Sequence, residues 1–193
     1  MIFTTLAGRS LARAAQEVER PLRENDLAES RIKLSWIVGR DTSQLQPAQI
    51  YRAVVETVAE NTVDGIMIGM VSARMDDVAN YLPARLSWLL LGIAAGLCRL
   101  SGWRALRIGW RDRYNHSSPN CAWSEACVAG ALGIQLGGPN NYFGERVDKP
   151  WIGDAQRGIS VDDISRTIRL MWVASTLALA LFIAARCGLS GVA

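Results

Sequence analysis

A run of 16 residues without a charge, Leu170 to Ala185 between Arg169 and Arg186, constrains this chain more than any other feature. As a helix rising about 1.5 Å per residue it reaches about 24 Å, short of a hydrocarbon core of about 30 Å. Arginines that snorkel toward the interface and local thinning of the bilayer close that gap, so the run is expected to lie in a membrane. A second uncharged run, Leu86 to Cys98, has 13 residues. On length alone it suits either a buried core helix or a span extended through Leu82, Pro83 and Ala84 with Arg85 turned inward.

The remaining sequence reads as further helices. Leu11, Ala14, Ala15 and Val18 share one face between Leu6 and Glu19, opposite Arg9, Arg13, Glu17 and Arg20, and Pro21 should stop or kink that helix. A second helix is expected from an Asp26 cap to Ile37, with Gly39 as terminator. Pro47 suits the first turn of a third, running to about Val63. Trp103 and Trp110, interleaved with Arg99, Arg104, Arg107, Arg111 and Arg113, fit a cytoplasmic membrane interface or a basic amphipathic surface helix. Ser118 and Pro119 look like the start of a helix over Cys121 to Leu132, whose alanines and Gly130 permit close approach of a neighbour. Gly137 to Glu145 reads as a loop, with glycines where the backbone turns sharply or meets a ligand. Neither an internal repeat nor a run of β-alternation is present, so the expected fold is all-α: one helical membrane domain over 1–193, with apolar segments near 86–98 and 170–185.

Composition removes several function classes. The net charge of +3 is mild and the 21 basic residues are scattered, which argues against nucleic acid as a partner. The four cysteines form no Cys-x-x-Cys pair, and with the single histidine, His116, they offer no zinc or haem arrangement. Cys98 and Cys187 are expected as small buried hydrophobes in a reducing compartment or a bilayer. The first residues lack the charged start and long apolar run of a signal peptide.

The chemistry gathers between Arg52 and Asn80. Arg52, Glu56, Glu60 and Asp64 recur every four residues and form one helical stripe with Asn61 beside it, while Ile50, Val54 and Val58 lie half a turn away and face a core. Asp76, Asp77 and Asn80 share a second helical face. Carboxylates packed this closely repel unless a cation joins them, and magnesium takes oxygen ligands, usually together with a substrate phosphate. The plain alternative is a solvated helix face on which Arg52 and Glu56 form an ordinary surface ion pair.

Five motifs in one order carry a resemblance. They are Leu34-Ser35-Trp36-Ile37-Val38-Gly39-Arg40-Asp41-Thr42; Glu56-Thr57-Val58-Ala59-Glu60-Asn61-Thr62-Val63-Asp64-Gly65; Arg74-Met75-Asp76-Asp77-Val78-Ala79-Asn80-Tyr81-Leu82-Pro83-Ala84-Arg85-Leu86; Ser118-Pro119-Asn120; and Gly137-Gly138-Pro139-Asn140 with Tyr142-Phe143-Gly144-Glu145. Together they resemble the adenosylcobinamide-phosphate synthases of cobalamin biosynthesis, from about Leu6 to Met171. The resemblance implies a multi-pass enzyme of the bacterial inner membrane, working beside other enzymes of that pathway. It would join a corrinoid substrate, adenosylcobyric acid, through a propionate carboxylate to the amine of aminopropanol phosphate, using ATP as co-substrate and magnesium. The chain departs from the family pattern in two places. It opens directly on the Leu6 helix, where family members begin with further apolar segments, and it keeps only Ile66 to Val71 of a longer apolar and polar stretch between Gly65 and Ser72.

Amide formation from an unactivated carboxylate requires prior phosphorylation or adenylation, so such a site must position anions and neutralise charge. Asp76, Asp77 and Asn80 are assigned to magnesium. Glu56, Glu60 and Asp64 are assigned to a second metal face or to a base that deprotonates the attacking ammonium. Arg40, Arg85 and Lys149 are candidates for phosphate or corrin carboxylates, and Asn61, Asn120 and Asn140 for the corrin amides. Two other readings remain open: a magnesium-dependent membrane transferase acting on isoprenoid diphosphates, and a corrinoid-binding remnant without chemistry.

Overall fold

A computed structural model describes residues 2–67, 81–116, 118, 120–142 and 145–190; the side chains of 2–7, 63–67, 81–82, 140–142, 145–146, 186 and 188–190 are not described within those ranges. The helices are α1 (Ile2–Arg23), α2 (Leu27–Ser35), α3 (Pro47–Met67), α4 (Tyr81–Leu97), α5 (Gly102–Arg111), α6 (Cys121–Leu132) and α7 (Asp162–Ser190). Between α6 and α7 lie four short strands, β1 (Leu136–Gly137), β2 (Asn140–Tyr142), β3 (Glu145–Val147) and β4 (Trp151–Ile152). β1 pairs antiparallel with β4, Leu136 opposite Ile152, and β2 with β3, Asn141 opposite Arg146. The expected all-α architecture therefore holds for the body, with two small antiparallel ladders where a loop was expected.

Helix α6 is the centre of the fold. From Ala122 to Leu132 every residue is buried, and α3, α4 and α5 pack around it. Its small side chains make this possible: a Cβ on Gly130 would lie 2.7 Å from the Arg104 carbonyl oxygen of α5. Trp88 of α4, Trp110 of α5 and Trp123 of α6 close one side, with ring centroids 5.3–5.9 Å apart. Ile50, Val54 and Val58 of α3 are fully buried, as the stripe required.

Several boundaries differ from the sequence expectation. Helix α1 passes through Pro21 and ends at Arg23, because a proline near the C-terminus costs a single hydrogen bond that the neighbouring turns absorb. Asp26 caps α2 as expected, accepting from the Glu29 N–H at 3.0 Å, but α2 ends at Ser35, and Gly39 lies in the connection beyond it with an ordinary negative φ. Helix α3 continues past Asp64-Gly65 to Met67. Asn120, not Ser118, occupies the N-cap position of α6; the Ser118 hydroxyl accepts from the Asn120 N–H at 3.4 Å.

Helix α7 is long and apolar enough over Asp162–Ala185 to cross a membrane. Only 22% of its most apolar window is buried, whereas a core helix of that length would be mostly covered. Its first half packs on the body through Ile164, Ile168, Leu170, Met171 and Ala174, and beyond that Leu179, Leu181, Phe182 and Ile183 are exposed. Helix α4 is covered on one side only. Leu90, Leu91, Ala94 and Ala95 join the core, while Leu89, Ile93 and Leu97 form an exposed stripe. Arg85 is partly buried over the Trp123 ring, 5.0 Å from its centroid, which is how a charged residue enters the start of so apolar a helix. All four cysteines are free; Cys127 is buried and Cys98 partly so, but Cys187 is exposed, because it sits on the uncovered end of α7.

Candidate functional site

One cavity of about 200 Å³ draws on distant parts of the chain. Helix α3 supplies Glu56, Thr57, Glu60 and Asn61; the α2–α3 connection supplies Ile37, Val38, Gly39 and Arg40; α6 supplies Glu125; and His116, Gly137 and Lys149 complete the lining. The α2–α3 connection is held back on α2, where the Thr42 hydroxyl donates to the Arg31 carbonyl at 2.9 Å and Arg31 Nε donates to the Leu45 carbonyl at 3.0 Å. That folding turns Arg40 inward. The connection thereby forms one wall of the cavity.

Glu56 is the best-held carboxylate of the cavity. Its Oε2 accepts from Arg40 Nη2 at 2.5 Å and its Oε1 from the Gly137 N–H at 2.8 Å. The surface ion pair with Arg52 is replaced by this buried one. Arg52 instead lies over the Trp151 ring, 4.7 Å from its centroid, and donates to the Gly137 carbonyl at 3.4 Å; burial lowers its pKa. Gly137 meets both side chains because its backbone is left-handed, φ +71°, and passes so near Pro150 that a Cβ would lie 2.5 Å from the Pro150 carbonyl oxygen.

The floor is less well satisfied. Glu60 Oε1 accepts from the Cys121 thiol at 3.2 Å, and burial pushes that thiol's pKa up to about 12, so Cys121 stays protonated and serves as a donor. Glu125 is 3% exposed, and its carboxyl has no hydrogen bond among the described residues; His116 Nε2 lies 3.9 Å from its Oε1. Burial, with the negative Glu56 and Glu60 adding to it, raises the Glu125 pKa well above the ordinary carboxyl range. His116 Nδ1 accepts from the Ser118 N–H at 3.0 Å, so in the neutral ring the proton resides on Nε2, toward Glu125. Burial lowers the His116 pKa and favours that neutral form. Helix α6, about 18 Å long, is too short to cross a bilayer and is enclosed by protein.

Of the residues the sequence singled out, Arg40, Glu56, Glu60, Asn61 and Lys149 meet in this cavity. Asn61 Nδ2 also donates to the Thr57 carbonyl at 2.8 Å. Arg85 is stacked on Trp123 and Asn120 is buried at the start of α6, and neither lines the cavity. The side chains of Asp64 and Asn140, and all of Asp76, Asp77 and Asn80, lie outside the described residues. Among the described residues no three histidine, cysteine or acidic side chains come together as a metal site. Glu125 and His116 were missed as site residues. Glu125 carried a readable signal, being the only charged residue in the otherwise small and apolar Cys121–Leu132.

The class defined by this arrangement is a mostly helical protein with a buried, carboxylate-floored cavity assembled from several loops and helices rather than from a single segment. A family model described as CobD/Cbib protein matches residues 1–68 and 66–171. The chain is 84% identical to a cobalamin biosynthesis protein CbiB of Salmonella typhi, covering all of this chain and 72% of that protein. It is 71% and 67% identical to cobalamin biosynthesis proteins CobD of Citrobacter koseri and Klebsiella pneumoniae subsp. pneumoniae, with the same coverage. No solved structure matches. The chain belongs to the CobD/CbiB family of cobalamin biosynthesis. Each of these alignments runs over 229 positions, 36 more than the 193 residues of the chain, and the two family-model matches meet at residues 66–68. A stretch of the relatives thus has no counterpart here, and the meeting point puts the break at the end of α3.

Proposed function

We propose that this chain carries the site of an adenosylcobinamide-phosphate synthase: ATP-dependent amide ligation between a propionate carboxylate of adenosylcobyric acid and the amine of aminopropanol phosphate. One observation carries the reading. Gly39-Arg40, Glu56 to Asn61 and Gly137 belong to three separate motifs of the resemblance, and they converge on one cavity. Its volume lies below the roughly 300–1,000 Å³ of sites for drug-sized ligands, so it suits the small amino-alcohol phosphate while the corrin ring stays at its mouth. Arg40, fixed by Glu56, and Lys149 would place positive charge beside the reacting anions, and Asn61 would offer an amide to them. Magnesium and ATP enter this reading through Asp76, Asp77 and Asn80.

Residence in the bacterial inner membrane through several spans, next to other enzymes of the pathway, is part of the same proposal. The exposed apolar half of α7 and the Leu89, Ile93, Leu97 stripe of α4 support it. The absent stretch at residues 66–68 favours a second reading, a corrinoid-binding protein without turnover, because a displacement of about 1 Å between reacting groups costs on the order of a hundredfold in rate. The test gives detergent-purified chain adenosylcobyric acid, aminopropanol phosphate, ATP and magnesium, beside a version carrying the relatives' extra stretch. Product from the restored version with little from this chain is expected. Absence of amide product from both, or turnover of a prenyl diphosphate, would overturn the ligase reading.

A further inference from the structure

From Val78 to Arg111 the sequence has five arginines, Arg85, Arg99, Arg104, Arg107 and Arg111, and not one aspartate or glutamate. Three of the five are committed inside the protein. Arg85 stacks on Trp123, Arg104 Nε donates to the Gly130 carbonyl at 2.7 Å, and Arg111 pairs with Asp112 at 2.6 Å and Asp154 at 2.8 Å. Arg99, in the turn between α4 and α5, and Arg107, on α5, are exposed and have neither a hydrogen bond nor an ion pair among the described residues. Arg107 shares its face with bare aromatic rings. Trp103, Arg107 and Trp110 recur at spacings of four and three, so they form one stripe on α5, opposite the buried Ala105, Ile108 and Gly109. Trp103 is 78% exposed and Trp110 54%, and just past the helix Tyr114 is 72% exposed, with Arg113 over both the Trp110 and Tyr114 rings.

Such a face needs a cover, and its chemistry says which. At about 15 Å, α5 is too short to cross a bilayer. It follows directly on α4, whose exposed Leu89, Ile93, Leu97 stripe ends six residues before Trp103, and α4 also packs on α7 with its uncovered apolar half. The stripe therefore continues an apolar surface. The centre of a protein interface is depleted of charge, whereas here an uncommitted arginine stands between the two indoles. The indole N–H groups of Trp103 and Trp110 also have no partner among the described residues. Rings with an apolar body and a wet tip, set beside free guanidinium groups, match the level at which acyl chains give way to phosphates.

We propose that α5 lies in the headgroup layer of the bilayer, with Trp103 and Trp110 at the acyl boundary and Arg99 and Arg107 on the phosphates of anionic phospholipids. The assignment rests on the membrane residence proposed above and adds which face meets the headgroups and which lipid charge it selects. A zwitterionic headgroup carries an ammonium next to its phosphate, and the arginines repel it; phosphatidylglycerol presents the phosphate alone. Nothing acidic on α5 offsets that preference. The first carboxylate after the helix, Asp112, is buried and accepts from Arg111 and from the Gly153 N–H.

Two measurements on the full chain test this without requiring turnover. Short-chain phosphatidylglycerol and phosphatidylcholine are titrated into the detergent-purified chain and followed by tryptophan fluorescence. Phosphatidylglycerol should bind more tightly at low salt, by about fivefold for each of the two arginines, and the preference should vanish at high salt and in Arg99→Gln/Arg107→Gln with an unchanged circular dichroism spectrum. In vesicles, lipids brominated near the headgroup should quench fluorescence more than lipids brominated at the chain ends, and Trp103→Phe/Trp110→Phe should lose that excess. Equal affinity for the two lipids, a preference that survives high salt, or stronger quenching from the chain ends would overturn the proposal, and the unaltered chain decides each of these even where a variant misfolds. Quenching that follows protein concentration instead of lipid would give the face to a second copy and overturn it as well. Flotation with vesicles separates the two levels. A chain that floats without lipid preference keeps its membrane residence and loses the α5 contact, while a chain that does not float loses both.

Discussion

Two buried carboxylates, Asp163 at the start of α7 and Glu125 in the middle of α6, are both almost inaccessible to solvent and have been given opposite surroundings. Asp163 accepts from Arg157 Nη1 and Nη2 at 2.8 and 2.5 Å, from Arg166 Nη1 at 2.9 Å, and from the N–H and hydroxyl of Ser160 at 2.9 and 3.2 Å. Burial works against its charge, but the hydrogen bonds from Arg157, Ser160 and Arg166 and the charge of Arg157 outweigh it and hold its pKa below the ordinary value. Glu125 is also penalised by burial, has no compensating donor among the described residues and faces the negative Glu56 and Glu60, and its pKa moves the other way. The contrast separates a carboxylate used to fasten a helix from one left open for a ligand. Satisfied groups stabilise folds, and unsatisfied ones in a cavity are where recognition is to be sought.

The largest expected effect breaks the satisfied member. Asp163→Ala removes the buried acceptor shared by Arg157, Arg166 and Ser160 at the root of α7 and should cost about 3 kcal/mol, read by chemical denaturation in detergent. Its pH dependence has a defined sign: the folded pKa is depressed, so the contribution is present above the unfolded value of about 3.9 and is lost as pH falls through the lower folded value. The difference between the two proteins should therefore shrink in acid.

Glu125→Gln should do the reverse. A raised folded pKa means that the contribution is complete below the unfolded value of about 4.3 and is lost as pH rises through the folded value. The variant cannot ionise, so it should match the unaltered chain at pH 4 and exceed it at pH 8, by about 1–3 kcal/mol if the cost is that of an unsatisfied buried group. A loss of stability at pH 8 would mean that Glu125 is fastened much as Asp163 is. Ser160→Ala, which removes one of several donors to Asp163, should cost about 1 kcal/mol and leave the acid sensitivity in place. At the bottom of the scale, Arg20→Ala removes only the exposed pair with Glu24 at 3.5 Å and should leave the melting temperature unchanged within error.

The sequence made some of this legible for physical reasons. Periodicity put Ile50, Val54 and Val58 in the core and Glu56, Glu60 and Asn61 on the face that became the cavity wall, since a helix fixes those relations locally. Asp26 and Pro47 marked helix starts because capping chemistry is local as well. The partnership of Glu56 with Arg40 and the Gly137 N–H was not legible. It depends on a tertiary approach across 81 residues, and the nearer Arg52 looked the better partner from spacing alone. Glu125 was overlooked because α6 has small residues on every face, so no amphipathic stripe singled out one side as functional. The ladders of β1 to β4 are only two or three residues long, too short to show an alternating pattern.

His116 is the only histidine in the chain, and its Nδ1 is occupied by the Ser118 N–H. Selective nitrogen-15 labelling of histidine would consequently yield a spectrum containing a single imidazole, with no assignment problem and no background from other rings. The bonded, unprotonated Nδ1 and the protonated Nε2 should resonate far apart, as a fixed tautomer requires. Their separation would follow the arrival of any ligand at Glu125, so the fold contains its own spectroscopic indicator at the floor of the cavity.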